Sequence, residues 1–228
     1  MCRKFFLQKA LPLPAVAALI RLGRKYKFRN FFNTAVERLT FENPTTLEEY
    51  DARMDNNSYK STRILHYPGV IFDMLTLARE NKILSVLPCA YYRALDSHSQ
   101  LFDGIPRGDD TVASLASVDQ RRCTLSREMI MKTQFMPGYT CAWLRKWPFD
   151  TDFCAHPFKC ARVRAQVQDM ITFNIGALTK LRMEHIPGLC DQCTENAMVS
   201  NQAGRKRVWE QLPRMFDLPS WGELKNEL

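Results

Sequence analysis

Two pairs of cysteines carry the most distinct chemistry in this 228-residue sequence. Five residues separate Cys154 from Cys160, and Cys190 and Cys193 form a Cys-x-x-Cys motif. Four thiolates are the complete ligand set of a structural, tetrahedral zinc site. We therefore expect either one structural zinc ion bound by these four residues or no cofactor. His156, which lies between the first two cysteines, is an alternative ligand.

The chain between the two pairs leaves the zinc interpretation open. Residues 161–185 have a helical pattern, and as one straight helix they would be roughly 37 Å long at 1.5 Å per residue. The pairs would then lie at opposite ends and could not share an ion. If the chain folds back near Phe173 to Gly176, four zinc–sulfur bonds of about 2.3 Å become feasible. A redox role for Cys190 and Cys193 is less favoured, because no βαβ pattern precedes them.

The remaining cysteines indicate a compartment rather than a site. The sequence has eight cysteines without a credible secretory signal, which is typical of reduced thiols in the cytoplasm or nucleus. Four of them occur singly among apolar residues and are expected to pack in the core. These four are Cys2, Cys89, Cys123 and Cys141.

The sequence offers little for enzymatic chemistry. Its four histidines are scattered, without a carboxylate or nucleophile at a recognisable spacing, and no phosphate-binding loop occurs. We therefore expect no intrinsic enzymatic activity. The histidines are His66, His98, His156 and His185.

Positive charge is concentrated at the N-terminus. Residues 1–36 hold eight bases and no acid, whereas the rest of the chain has 24 of each. We interpret the bases mainly as solvated faces of helices; a nucleic-acid or lipid patch and a mitochondrial transit peptide are the other interpretations, and the absence of serine counts against the last. Residues 204–207 form a second basic cluster, which is again a solvated face or a nucleic-acid contact. No apolar run reaches the roughly 20 residues that a membrane span needs, so we expect no membrane association.

A helical pair at residues 67–95 is expected to organise the fold. Apolar residues recur there at helical spacings in two stretches, which Asn81 and Lys82 separate. Pro88 fits the first turn of the second helix. The sequence thus predicts two antiparallel helices around which the chain packs. Their apolar positions are Val70, Ile71, Met74, Leu75, Ala78, Leu84, Leu87, Tyr91 and Leu95.

Strand patterns are rare, so the sequence predicts an all-α, irregular multi-helix fold. Capping boxes at Thr46 and Ser117 predict helix starts, and residues 52–63 are expected to form a loop. Phe31 and Phe32 are expected to be buried. The further helices are expected near residues 14–26, 28–39, 117–135, 161–185, 191–212 and 220–223.

Several stretches resemble the region that follows the BTB/POZ domain in a large group of fungal BTB domain-containing proteins. The resemblance covers nearly the whole chain, with landmarks in a specific order and spacing. The landmarks are residues 11–26, 44–50, 84–88, 190–193, 204–213 and 218–221.

The resemblance implies a role in protein–protein interaction, because BTB domains self-associate and some recruit cullin-type ubiquitin ligases. The BTB domain should precede Leu11, and only residues 1–10 do so. We therefore expect it to be truncated or lost, so that its dimerisation and cullin binding do not carry over. Residues 1–26 would be a remnant linker or helix, residues 27–150 the helical core, and residues 151–228 a C-terminal helical subdomain with the cysteine pairs.

The favoured hypothesis is a non-catalytic protein-interaction module with an unidentified protein partner and scope for self-association. The alternative is a zinc-stabilised helical domain that contacts nucleic acid through the basic N-terminus and residues 204–207. Nucleic acid is the less favoured partner, because aromatic residues do not interleave with the second cluster. A mitochondrial protein of unknown role is the third hypothesis.

Overall fold

The computed structural model describes residues 9–55, 58–145, 154–171 and 176–226. Within these ranges the chain is mainly helical, which confirms the predicted all-α class, with two small antiparallel hairpins added. The α-helices are α1 Leu13–Lys25, α2 Arg29–Glu42, α3 Leu47–Asp51, α4 Val70–Glu80, α5 Leu87–Ala94, α6 Ser117–Thr133, α7 Pro157–Ile171 and α8 Asp191–Met215. Short 3-10 helices cover Leu84–Val86, Leu95–Gln100, Ala142–Leu144 and Met183–His185.

The hairpins lie in stretches that read as polar loops. Strands β1 (Met54–Asp55) and β2 (Ser58–Tyr59) pair within residues 52–63, where a loop was expected. Strands β3 (Ile105–Pro106) and β4 (Val112–Ala113) form the second hairpin. Each strand has two residues, too few to give an alternating sequence pattern.

The chain divides into two compact units. The first comprises Met1–Thr124 and Leu212–Leu228, and the second Leu125–Gln211. Helices α6 and α8 begin in one unit and end in the other. The division expected at residues 26 and 150 stays a prediction.

The predicted helical pair lies at the core of the first unit. Helices α4 and α5 pack against each other, and all eight residues of α5 are buried. Pro88 occupies the first turn of α5, as expected from its missing amide hydrogen. The buried face of α4 consists of Val70, Phe72, Met74, Leu75 and Ala78.

Three of the predicted core positions are corrected, and one of them is Leu84, which is only partly buried. Ile71 is only partly buried, and Phe72 takes the interior position next to it. On α2, Phe32 is buried as predicted, whereas the Phe31 ring is exposed. In both helices apolar residues are adjacent in sequence, so periodicity alone does not decide which of them faces inward.

The ends of predicted elements also shift. The Thr46 hydroxyl accepts from the amide of Glu49, as the capping box at α3 predicts. Helix α8 continues through Pro213 to Met215 instead of stopping before the proline. The predicted helix at residues 220–223 is a turn, in which the Glu223 carboxylate accepts from the amide and hydroxyl of Ser220.

The buried carboxylate of Glu42 connects the end of α2 to residues 62–64, which follow β2. Glu42 is fully buried, and its Oε1 accepts hydrogen bonds from the amides of Thr62, Arg63 and Ile64 at 3.0, 2.6 and 3.1 Å. The guanidinium of Arg93 donates to the backbone carbonyl of Glu42 at 2.7 Å. Residues from α2, α5 and the segment after β2 are thereby held at one point.

Truncation of the α4–α5 core should be costly. We expect Leu87→Ala or Phe72→Ala to lower the free energy of unfolding by about 2–5 kcal/mol, because each leaves an unfilled cavity among buried neighbours. Ile71→Ala, at the partly buried position beside Phe72, should cost less. Urea denaturation of the three variants measures the difference. Equal midpoints for Phe72→Ala and Ile71→Ala would contradict this assignment of the core.

No helix in the described parts of the chain combines the length and apolar character that a membrane crossing requires.

Candidate metal centre

The four cysteines lie at the N-terminal ends of two helices. Cys154 lies three residues before the start of α7, and Cys160 is in the first turns of that helix. Cys190 immediately precedes α8, and Cys193 is its third residue. The Cys-x-x-Cys spacing therefore places one thiol before the helix and one within its first turn.

The two pairs meet in space. The sulfurs of Cys193 and Cys154 are 3.4 Å apart, and those of Cys154 and Cys190 are 3.8 Å apart. All four sulfurs lie within 4.8 Å of one another. Zinc–sulfur bonds of about 2.3 Å in a tetrahedron separate neighbouring sulfurs by about 3.8 Å. The cluster therefore has the ligand type, number and spacing that one tetrahedral metal ion requires.

Backbone amides stabilise the ionised, thiolate form of cysteines in the cluster. The amide of Cys190 donates to the sulfur of Cys160 at 3.3 Å. Amides of Cys193 and Ala155 donate to the sulfur of Cys190 and lower the pKa of that thiol to about 6. Burial instead raises the pKa values of Cys160 and Cys193. Hydrogen bonding thus favours the thiolate form of Cys190, whereas burial opposes ionisation of Cys160 and Cys193.

The helix ends add to this stabilisation. The first turns of α7 and α8 leave amide hydrogens without partners inside the helix, and the helix dipole places partial positive charge there. Both helix ends lie at the thiol cluster. An anionic group such as a tetrathiolate metal centre is favoured at such a position.

The chain folds back between the two pairs, as the zinc interpretation requires. Helix α7 ends at Ile171, and Gly176 begins a turn in which the amide of Thr179 donates to the Gly176 carbonyl at 3.0 Å. The single helix over residues 161–185 is therefore wrong beyond Ile171. The predicted bend at Phe173 lies outside the described residues.

Polar side chains from elsewhere in the second unit hold the returning segment. Asn201 accepts from the amide of Leu181 at 3.0 Å and donates to the carbonyl of Thr179 at 3.2 Å. The buried guanidinium of Arg205 donates to the carbonyl of Leu178 at 2.9 Å. These bonds take the place of the helical hydrogen bonds that residues 178–181 do not make.

Sequence reasoning missed both of these residues and the reason for Gly204. A Cβ atom at Gly204 would lie 2.3 Å from the backbone nitrogen of Thr140, so α8 can approach that backbone only with glycine there. An isolated glycine in a helical pattern was the available signal. Arg205 read as part of a basic surface cluster, but its burial removes it from any phosphate contact, and the Arg207 guanidinium lies over the Tyr139 ring.

Apolar residues of the second unit form a core of their own, which contains none of the four clustered thiols. Its buried members are Cys141, Trp143, Leu144, Val167, Ile186 and Ala197.

Among the described residues, the single cysteines and His156 do not belong to the sulfur cluster. Cys89, Cys123 and Cys141 are buried, as predicted for core packing, and burial raises the pKa of each thiol to about 12. Cys2 lies outside the described residues. His156 is exposed and does not join the sulfur cluster. The candidate ligand set is therefore the four cysteines.

Comparison with known proteins gives no match: no family model, no curated protein and no solved structure matches the chain.

Proposed function

We propose that this chain is a non-catalytic protein-interaction module in which one structural zinc ion joins the start of α7 to the start of α8. The observation that carries the proposal is the cluster of four cysteine sulfurs within 4.8 Å of one another. Four protein ligands fill a tetrahedral zinc ion and leave no position for a reactive water. A site of this kind stabilises a fold and performs no turnover.

We expect the zinc ion to stabilise mainly the stretch between α7 and α8. Between α7 and α8 the described chain has one short 3-10 helix, Met183–His185, whose residues are not buried. Among its described residues, the apolar side chains of Ala177, Leu178 and Ile186 are buried, and those of Leu181 and Leu189 are partly buried. These are small or medium-sized side chains, so we expect their burial alone to give limited stabilisation. A zinc ion would tie Cys190, at the end of this stretch, to Cys160 in the first turns of α7.

The interaction role is supported by the resemblance of residues 11–26 and the later landmarks to the helical region of fungal BTB-family proteins. Binding of zinc through four thiolates requires reduced cysteines, in keeping with the cytoplasmic or nuclear location expected from the sequence. The nucleic-acid alternative has less support, because the buried Arg205 cannot contribute to a phosphate-binding patch at residues 204–207.

Metal analysis and cross-linking test the two parts of the proposal. Protein purified without added metal should contain about one zinc per chain, as four thiolates require. Chemical cross-linking in cells should join the tagged chain to protein, whereas ultraviolet cross-linking should recover little nucleic acid. Less than half an equivalent of zinc would overturn the metal centre. Recovery of nucleic acid in place of protein, or turnover that a single His or Cys substitution abolishes, would overturn the interaction role.

A further inference from the structure

An exposed aromatic cluster caps the turn between α1 and α2. Tyr26, Phe28 and Phe31 are 51%, 52% and 42% exposed, and Leu22, one turn before Tyr26, is 42% exposed. We call these four residues the aromatic tip. Large apolar side chains gathered at one exposed place are uncommon on a protein surface and mark interaction sites.

The tip has a defined shape. The Tyr26 and Phe28 rings stack with centroids 5.7 Å apart, and the Phe28 and Phe31 rings meet edge to face at 5.6 Å. The turn beneath them is closed by hydrogen bonds from the Tyr26 amide to the Leu22 carbonyl and from the Arg29 amide to the Lys27 carbonyl, each 3.0 Å long. Aromatic side chains that are already ordered lose little entropy when they bind a partner.

Gly23 explains why the tip faces outward. A Cβ atom at Gly23 would lie 2.8 Å from the Phe32 backbone nitrogen, so the absence of a side chain lets α1 and α2 pack closely. Phe32 is buried against this contact, and Arg24 lies over its ring and donates to the Asn81 carbonyl. The inward side of the turn is therefore filled, and Phe31 remains outside.

The surroundings of the tip are cationic. Four exposed bases lie within the same stretch as the tip, and no acid occurs in residues 1–36. The Lys25 ammonium lies over the Tyr26 ring, 5.3 Å from its centroid. An apolar centre with basic neighbours is complementary to apolar side chains flanked by carboxylates. The exposed bases are Arg21, Lys25, Lys27 and Arg29.

We infer that the aromatic tip binds an acidic segment of a partner protein, one that presents apolar side chains to the rings and carboxylates to the bases around them. This inference rests on the proposed interaction role and names the surface and the chemistry of the partner. A symmetric contact between the tips of two copies does not fit, because it would bring the same acid-free basic stretch against this one.

The ring geometry favours a protein segment over a nucleic-acid strand. Single-stranded nucleic acid binds through bases that stack on open aromatic faces. Here Tyr26 and Phe28 stack on each other, and Lys25 lies over Tyr26. A base would have to displace these contacts. Leucine or phenylalanine side chains of a partner can pack against the ring edges and Leu22 without displacing these contacts.

Binding of defined probes to the full chain tests the inference. The main probe is a fluorescent peptide with leucine at helical i, i+3, i+4 and i+7 positions and glutamate elsewhere; a peptide with serine replacing the leucines has the same charge. We expect the leucine peptide to bind at least about tenfold more tightly than the serine peptide. The double variants Phe28→Ser/Phe31→Ser and Lys25→Glu/Arg29→Glu should each weaken binding of the leucine peptide about tenfold.

Matched controls separate the tip from general charge and stickiness. Phe158→Ser removes a 94% exposed ring outside the tip, and Lys180→Glu/Lys206→Glu reverses two exposed charges in the second unit. Both should bind the leucine peptide as the unsubstituted chain does. Thermal unfolding should show that all variants are folded at the temperature of the binding measurement; a modest decrease in Tm is expected for Phe28→Ser/Phe31→Ser, whose rings are about half exposed and contact each other.

Several results would overturn the inference. They are equal binding of the two peptides, full binding by Phe28→Ser/Phe31→Ser, and tip-dependent binding of oligo(dT) or phosphatidylserine vesicles that exceeds binding of the leucine peptide. The zinc content and the cellular cross-linking of the unsubstituted chain are measured separately. If the tip does not bind the leucine peptide but cellular cross-linking still recovers protein, the inference is wrong, and the interaction role then belongs to another surface.

Discussion

Protein carrying Cys193→Ser should lose its zinc and become loosely structured over residues 176–193, while the α4–α5 core stays protected from hydrogen exchange. Structural zinc contributes about 10–16 kcal/mol of binding free energy in zinc-finger peptides at neutral pH, and that energy is coupled to folding. Loss of one thiolate from a set of four should remove a large part of it. Elemental analysis and hydrogen exchange with mass spectrometry measure the two effects on the same sample.

The matched control is Cys141→Ala. Cys141 is buried in the apolar core of the second unit and is not among the clustered thiols. Its truncation should destabilise that core through a cavity but leave the zinc content at one equivalent. A chelator should reproduce the exchange pattern of Cys193→Ser in the unsubstituted chain, and lowering the pH should do so by protonating the thiolates. Zinc retained by Cys193→Ser, or exchange at residues 176–193 unaffected by chelation, would contradict the structural site.

Removal of the Glu42 carboxylate should strongly destabilise the first unit. Glu42→Leu leaves the amides of Thr62, Arg63 and Ile64 without their acceptor, and of these residues Ile64 is buried, Arg63 partly buried and Thr62 exposed. Each unsatisfied group costs about 1–3 kcal/mol, and we expect a total loss of about 3–5 kcal/mol. Amide exchange within the first unit reports this loss without interference from the second.

Glu42→Gln is the control for that experiment. It keeps one acceptor oxygen and nearly the same volume, so it should cost clearly less than the leucine variant. The salt-bridged surface residue Glu128, whose partner Lys132 is also exposed, provides a second comparison; Glu128→Gln should change stability by less than about 1 kcal/mol. Similar losses for the two Glu42 variants would show that the three amides do not depend on the carboxylate.

Local sequence patterns were sufficient for the helices that carry a clear signal. Periodic apolar residues and Pro88 located α4 and α5, and Thr46 located the start of α3. They did not decide between Ile71 and Phe72, because several neighbouring residues of α4 are apolar and the packing of other elements selects the buried arc. Burial depends on what lies opposite a residue, which a local pattern does not contain.

The candidate site was predictable in its chemistry but not in its assembly. The spacing of the cysteines identified four ligands, and the structure brings all four sulfurs together. The prediction that the pairs meet depended on the conformation of residues 172–185. Ala177 and Leu181 are spaced there as in a helix, so the pattern did not indicate a reversal of the chain. The contacts that decide the chain direction come from Asn201 and Arg205, which are distant in sequence and look like surface residues.

The hydrogen bonds at Glu42 also bear on the order in which the first unit folds. The three amides that its side chain accepts from lie 20, 21 and 22 residues away, and the Arg93 guanidinium that reaches its carbonyl lies 51 residues away. The carboxylate can leave water at low cost only after these segments have come together, which requires closure of two loops. We therefore expect these contacts to form after the folding transition state. If they do, substitution of Glu42 should mainly raise the rate of unfolding, and truncation within α4 and α5 should mainly lower the rate of folding.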